Sequence, residues 1–211
     1  MTNLATLLRL ADSRLPTGGH VHSGGVEEAI TSGLVVDIPT LRAFLRRRIR
    51  THGLVTASVA AALHDGRLSV QAADSETDAR TPSPAARHAS RVQGRGLARL
   101  ARRVWPTADF ENLGATPHLA VAAGAVGVAC AMTPDQTALQ VVYTTMTGSA
   151  TAAQRLLALD PADVAALTFE LADLTERTAA AAVDELAELS DPLLDVLAQR
   201  HAERDRPLFV S

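Results

Sequence analysis

The sequence predicts an all-α fold, a single-domain bundle of about eight or more helices spanning residues 1–211. Apolar residues recur every three to four positions nearly throughout, and β-branched alternation of period two is scarcely visible. A proline also follows a capping hydroxyl or carboxylate at Ser83-Pro84, Thr116-Pro117, Thr133-Pro134, Asp160-Pro161 and Asp191-Pro192, the pattern of helix starts. A chain of 211 residues is of one-domain size and long enough to bury a real core.

The elements follow in order. Met1 to Leu10 carries four leucines but no leading basic region and no small-residue cleavage site, so it reads as a mature, cytoplasmic start. Residues 12–25 form a Gly-rich loop, because the glycines and proline from Pro16 to Gly25 would together cost several times ~1 kcal/mol in a helix. Such a loop requires an ordered partner or a special backbone path. After Pro39-Thr40, residues Leu41, Phe44, Leu45, Ile49 and His52 share one helical face while Arg42, Arg46 and Arg50 share another. The polar stretch 74–84 reads as a surface loop, with the frayed end of a helix as the alternative.

A long helix runs from Ser83-Pro84 to Trp105, with Ala86, Ala89, Val92, Leu97, Leu100 and Val104 on its apolar side. Leu119 to Met132 is apolar but short of the ~20 residues a bilayer requires, and reads as a buried helix with its start at Thr116-Pro117. Pro134 to Leu159 repeats apolar residues at helical spacing. A further helix covers Asp163 to Glu188, Asp191-Pro192 opens the last one, and residues 204–211 form a C-terminal tail ending in Pro-Leu-Phe-Val-Ser, whose Phe209 must pack on something.

Composition excludes whole classes. All 20 basic residues are arginine, and without lysine there is no Walker A loop, no kinase ATP lysine and no Schiff-base chemistry. The single cysteine, Cys130, excludes an internal disulfide and every multi-cysteine metal pattern. A net charge of −3 gives no global attraction to nucleic acid or an anionic membrane. A helical transcription regulator would need a basic helix-turn-helix near the N-terminus, where this chain has glycines.

Candidate chemistry is sparse. His20 and His22 offer imidazoles suited to nickel, copper or zinc, but their i,i+2 spacing diverges in extended chain and no third ligand is adjacent. A nickel chaperone or a metal-dependent enzyme built on these two histidines is the alternative reading. A nucleophilic set from Ser23, His22 and Asp12 lacks the Gly-x-Ser-x-Gly elbow. Arg87, Arg91, Arg95 and Arg99, spaced four apart, form a ridge on one helix. Like charges at that spacing repel unless acids compensate, so either the acids of the Asp163 to Glu188 segment together with solvent, or an acidic partner, should face them. Gly94 and Gly96 in the same helix predict a close backbone contact.

Asp12-Ser13-Arg14-Leu15-Pro16-Thr17-Gly18-Gly19, followed by His22-Ser23-Gly24-Gly25-Val26-Glu27, resembles the signature opening of the UreF family of urease accessory proteins. Arg87 to Gly94 resembles that family's middle-helix motif, His118 to Gly124 its central apolar helix, and Pro192-Leu193-Leu194-Asp195 with Arg200-His201 and Arg206 to Ser211 its C-terminal stretch. His20 replaces a usual aromatic residue, Pro207 interrupts the usual Arg-Leu-Phe, and Leu159 to Asp163 replaces a turn containing Gly-Gln. The resemblance implies a non-catalytic, cytoplasmic scaffold that dimerises and binds the UreD/UreH accessory protein. Through it the chain would join the GTPase UreG and apo-urease for nickel insertion, with nickel and GTP acting through partners and no cofactor bound directly. It implies a partner or dimer surface at Asp12, Ser13, Pro16, Gly18, His22, Ser23, Gly25 and Glu27. It implies a partner-binding tail at Arg204, Arg206, Leu208 and Phe209, with Phe209 as the anchor. Tyr143 and Arg155 fall on a helix near the implied dimer seam, with core packing as the alternative for Tyr143. Neither a nucleic acid nor a membrane is an implied partner.

Overall fold

A computed structural model of the chain describes residues 4–12, 15–17, 21–188, 191–205 and 207–209. Among these the regular structure is helical, with no strand. The α-helices are α1 (Leu4–Leu10), α2 (Val26–Thr31), α3 (Ile38–Arg48), α4 (Leu54–His64), α5 (Val70–Ala79), α6 (Pro84–Val104), α7 (Leu119–Ala129), α8 (Pro134–Leu157), α9 (Pro161–Glu170), α10 (Ala172–Asp184) and α11 (Pro192–Ala202). A π-helical turn, Ile49–Gly53, joins α3 to α4 without a break. Such wider turns re-aim the side chains around them and cluster at functional positions.

The centre is built from α4, α7 and α8. Every residue of α4 from Val55 to Ala62 is buried, and α4 packs against α7, α8 and α10, while α6 covers α7. Small side chains explain this density: Ala57, Ala60, Ala61, Ala120, Ala122 and Ala153 let helix axes approach closely around larger plugs such as Leu41, Leu45, Ile49 and Met146. Within the apolar 119–132 stretch, Leu119–Ala129 forms the expected helix, most of it buried.

Most starts follow the sequence signals. Ser83, Thr133, Asp160 and Asp191 each accept a bond from the backbone of the helix they open, and Thr133 with Gln136 forms a reciprocal capping box. Thr116-Pro117 does not open α7, which begins at Leu119 after His118. The cap arrives from outside the segment: the Leu119 N–H donates to Ser90 Oγ of α6 at 3.2 Å.

Two further expectations are corrected. The 74–84 segment is not a loop as far as Ala79, because it belongs to α5, capped by Ser69 and anchored on buried Ala73 and Thr77. Its apolar face is made of small residues, which a search for large hydrophobes overlooks. Asp163 to Glu188 is two helical segments meeting at Leu171, and α10 ends at Asp184.

Candidate functional site

The Gly-rich loop and the C-terminal tail, distant in sequence, meet on α2. Ser23 is fully buried; its hydroxyl accepts the Glu27 N–H, and its carbonyl accepts the Ser149 hydroxyl of α8 at 3.0 Å. Gly24 and Gly25 follow with φ of +64° and +87°, in the left-handed region that favours glycine. A Cβ at Gly24 would also lie 2.6 Å from Cζ of Arg48, so the guanidinium would have to shift to admit one. The Arg48 guanidinium is laid against this backbone, and its Nη1 donates to the Gly24 carbonyl at 2.7 Å.

Glu27 is the centre of the junction. Its carboxylate accepts His201 Nε2 at 2.8 Å, the Leu208 N–H at 2.8 Å and the Phe209 N–H at 3.0 Å. Burial alone would raise this carboxyl, but the three donors outweigh it and hold Glu27 below the usual carboxylate range. Next to it, Arg204 Nη1 reaches Glu28 Oε2 at 2.9 Å. One short helix therefore receives the loop at its N-terminus and grips the tail through two adjacent acids.

Part of the implied surface lies inside the chain. His22, Ser23, Gly25 and Glu27 are buried within the chain itself, and Phe209 is only 8% exposed, so the tail's phenylalanine is an anchor into its own fold. The reason is local: Glu27 takes both backbone N–H groups at 208 and 209, which turns the aromatic ring inward and leaves Leu208 80% exposed. Pro16 is exposed, Asp12 and Arg204 are half-buried, and Tyr143 and Arg155 lie exposed on α8. Ser13, Gly18, His20 and Arg206 lie outside the described residues.

Two of the four ridge arginines, Arg87 and Arg91, find their acids on α5 and not on the 163–188 segment. Arg91 pairs with Asp74 at 2.9 Å and with Asp78 at 2.8 Å, while Arg87 approaches Asp78 at 3.8 Å. Of the other acids, Glu170 pairs with Arg42 and Asp173 with Arg177. His118 joins the same network: its Nε2 lies 2.9 Å from Asp78 Oδ1 and its Nδ1 lies 3.0 Å from Ser90 Oγ. Burial is the main reason that His118 is held below the ordinary histidine value. Asp74, Asp78 and His118 are near enough to share a cation, yet the Arg91 guanidinium already occupies both carboxylates. The arrangement is a buried-end ion-pair network that fastens α5, α6 and α7 together. Gly94 makes it possible, since a Cβ there would lie 2.6 Å from the His118 carbonyl carbon, and Gly96 packs against the Thr17 backbone in the same way.

Sequence reasoning missed the polar wall behind the loop. A cavity of about 430 Å³ lies between the loop, the π turn, α6 and α8, with Arg48, His52, Gln93, Ser149 and Arg155 among its lining residues. The four-residue spacing of Arg48 and His52 was visible, but the wider turn that aims both into one space was not. Burial and the neighbouring Arg48 charge push His52 down to about 3, so it is neutral at pH 7.

The fold and junction define a class: an all-α protein whose N-terminal glycine loop and C-terminal tail are locked together on a short acidic helix. Among the described residues no helix is long and apolar enough to cross a membrane. The family model described as UreF matches residues 35–172. The chain is 75% identical over 214 aligned residues to the urease accessory protein UreF of Mycolicibacterium vanbaalenii, with both chains fully covered. It is 74% identical to that of Mycobacterium sp. (strain JLS) and 72% identical to that of Mycobacterium marinum, again over the full length of both. The chain belongs to the UreF family of urease accessory proteins.

Proposed function

We propose that this chain is a non-catalytic scaffold of urease maturation. It joins the UreD/UreH accessory protein, the GTPase UreG and apo-urease, so that nickel enters the urease active site while the partner hydrolyses GTP. The observation that carries this reading is the full-length similarity to proteins named urease accessory protein UreF. The chain works as a cytoplasmic homodimer and binds neither nickel nor GTP as a cofactor of its own. A protein without lysine has no phosphate loop and takes its nucleotide chemistry from a partner.

The contact surface is carried by the exposed groups around the junction and on α8. Leu208 is an exposed leucine held rigidly by the Glu27 clamp, so it presents an apolar anchor to UreD/UreH at little entropic cost. Pro16 presents the loop, and Tyr143 and Arg155 present the dimer face of α8. The test is size-exclusion chromatography with light scattering on the protein alone and mixed with UreD/UreH and UreG, with nickel assayed in each peak. A co-eluting complex formed by metal-free protein is expected, and Leu208→Asp should weaken capture of UreD/UreH at unchanged circular dichroism. Absence of any complex, with stoichiometric nickel in the isolated protein, would overturn the scaffold reading in favour of a metal-binding one.

A further inference from the structure

Arg47 and Arg48 are adjacent at the end of α3, and they differ in one respect. Arg47 has an acid of its own, with Nη2 at 2.8 Å from Asp191 and Nε on the second carboxylate oxygen. Arg48 has none: no carboxylate among the described residues lies within ion-pairing distance of it. Among the described residues its hydrogen bond goes to the Gly24 carbonyl, and its Nε is enclosed without a partner there. A guanidinium carries five N–H donors in a flat fork, so most of the donor capacity of Arg48 is unspent.

A cation removed from bulk water without a counter-charge costs several kcal/mol, and neighbours normally supply the missing charge. Here they do not. His52, four residues on, is neutral at pH 7, and Gln93 and Thr145 add uncharged polar groups to the same cavity. Arg155 stands exposed at the wall with no ion pair among the described residues and adds a second positive charge. Asp12 also lines the space, but it is engaged in an interaction of its own. On the far side of Arg48, Asp191 and Asp195 border a smaller cavity of about 100 Å³, where Asp191 is committed to Arg47 and Asp195 accepts the Ser83 N–H. Among the described residues the larger cavity is therefore lined by two guanidinium groups, neutral donors and the single carboxylate of Asp12, which leaves its net character positive. Its volume of about 430 Å³ lies within the range of small-ligand sites.

We propose that this cavity binds an oxyanion, of the phosphate, sulfate or carboxylate class, with Arg48 as its principal ligand and Arg155 as the charge at its rim. The planar fork suits such a ligand better than an ammonium would, because two parallel N–H groups meet two oxygens at once. The Gly24 contact holds that fork in place, and His52 contributes a neutral ring that neither repels nor neutralises the anion. Nothing in this assignment depends on the maturation partners.

The test uses the full chain at pH 7 in a zwitterionic buffer, with sodium chloride exchanged for sodium sulfate or phosphate at constant ionic strength. Isothermal titration and thermal melting should show saturable binding. Arg48→Met should bind each anion at least ten-fold more weakly, while Arg155→Gln, at an exposed site that cannot disturb the core, should bind a few-fold more weakly. Sulfate also raises melting temperatures without binding, and that unsaturating slope is the part that Arg48→Met should retain. In unmodified protein, phenylglyoxal labelling read by mass spectrometry should show Arg48 protected by sulfate and exposed Arg46 unaffected. Absence of saturable binding to the wild type, equal binding by Arg48→Met, or equal protection of both arginines would overturn the proposal. If Arg48→Met does not fold, the labelling pattern and Arg155→Gln decide.

Discussion

Replacing Glu27 by glutamine tests the lock between the loop and the tail with almost no change in shape. The wild-type carboxylate accepts three hydrogen bonds, two of them from consecutive backbone N–H groups. Hydrogen bonds to a charged group each contribute about 1.5–3 kcal/mol net. The amide of glutamine retains one acceptor oxygen and turns an NH2 group toward the remaining donors, so at least one bond is lost and another weakened. The tail should open more readily by about 2–4 kcal/mol, and because ~1.4 kcal/mol is a factor of ten, amide exchange at Leu208 and Phe209 should accelerate by about 30-fold or more. Phe209 leaves its buried position at the same time, which exposes an aromatic side chain worth about 1.5–3 kcal/mol of burial and limits how far the opening proceeds.

The assay is hydrogen exchange by mass spectrometry on peptides covering Arg204 to Phe209, with α4 peptides as the internal reference. Exchange should rise in the tail and in the end of α11, and stay constant in α4. The pH dependence adds a second signature. Glu27 is held below its ordinary value, so its contribution is complete above the unfolded value and is lost as pH falls through the lower folded one. The wild-type tail should therefore open more readily on acidification, and the Glu27→Gln tail should show its faster exchange at neutral pH already, without the acid step that Glu27 supplies. Unchanged exchange at 208 and 209 in the variant would refute the clamp.

Acid should also weaken the core, because burial holds His52, His64 and His118 below the ordinary histidine value. Each histidine that stays neutral when folded but protonates when unfolded costs about 1.4 kcal/mol per pH unit below about 6.5; denaturant midpoints should fall between pH 7 and 5, and a flat profile would contradict their burial. Gly94→Ala should destabilise by about 1–3 kcal/mol through overlap with the His118 backbone, as read from a chemical denaturation midpoint, whereas a half-buried control, Gly148→Ala, has nothing near its added Cβ and should be neutral or stabilising. Burial pushes the Cys130 thiol up, so its alkylation at pH 8 should be slower than that of a free thiol and should quicken in denaturant.

What could be read from the chain alone follows a physical boundary. Helix starts at Ser83, Thr133, Asp160 and Asp191 are local events, fixed by one side chain and the next three residues, and the sequence pattern located each of them. The start at Leu119 is not local, because its cap is Ser90, 29 residues away, and no window around Thr116-Pro117 contains it. The same division separates the ridge from its acids. Spacing alone put Arg87 and Arg91 on one face, but the choice of Asp74 and Asp78 as their acids depends on α5, whose apolar face is built from alanine and threonine and leaves a weak periodic signal.

The junction at Glu27 extends that boundary to the site itself. Its parts are separated by 174 residues from Glu27 to His201, and the family likeness brought Glu27 and Phe209 forward while leaving their relation unspecified. The family likeness treats each as a group that faces a partner; the geometry makes Glu27 face Phe209 and leaves Leu208 outward. Local polarity cannot distinguish these cases, since an acid beside glycines suits a surface as well as it suits a buried clamp. The distinction lies in the donor count. A buried carboxylate is tolerated only where it is well supplied with hydrogen-bond donors, and the tail supplies two of the three at Glu27. A partner that bound this tail by pulling Phe209 out would have to replace those two donors, whereas one that engages Leu208 leaves the clamp intact, and the second arrangement requires less from the partner.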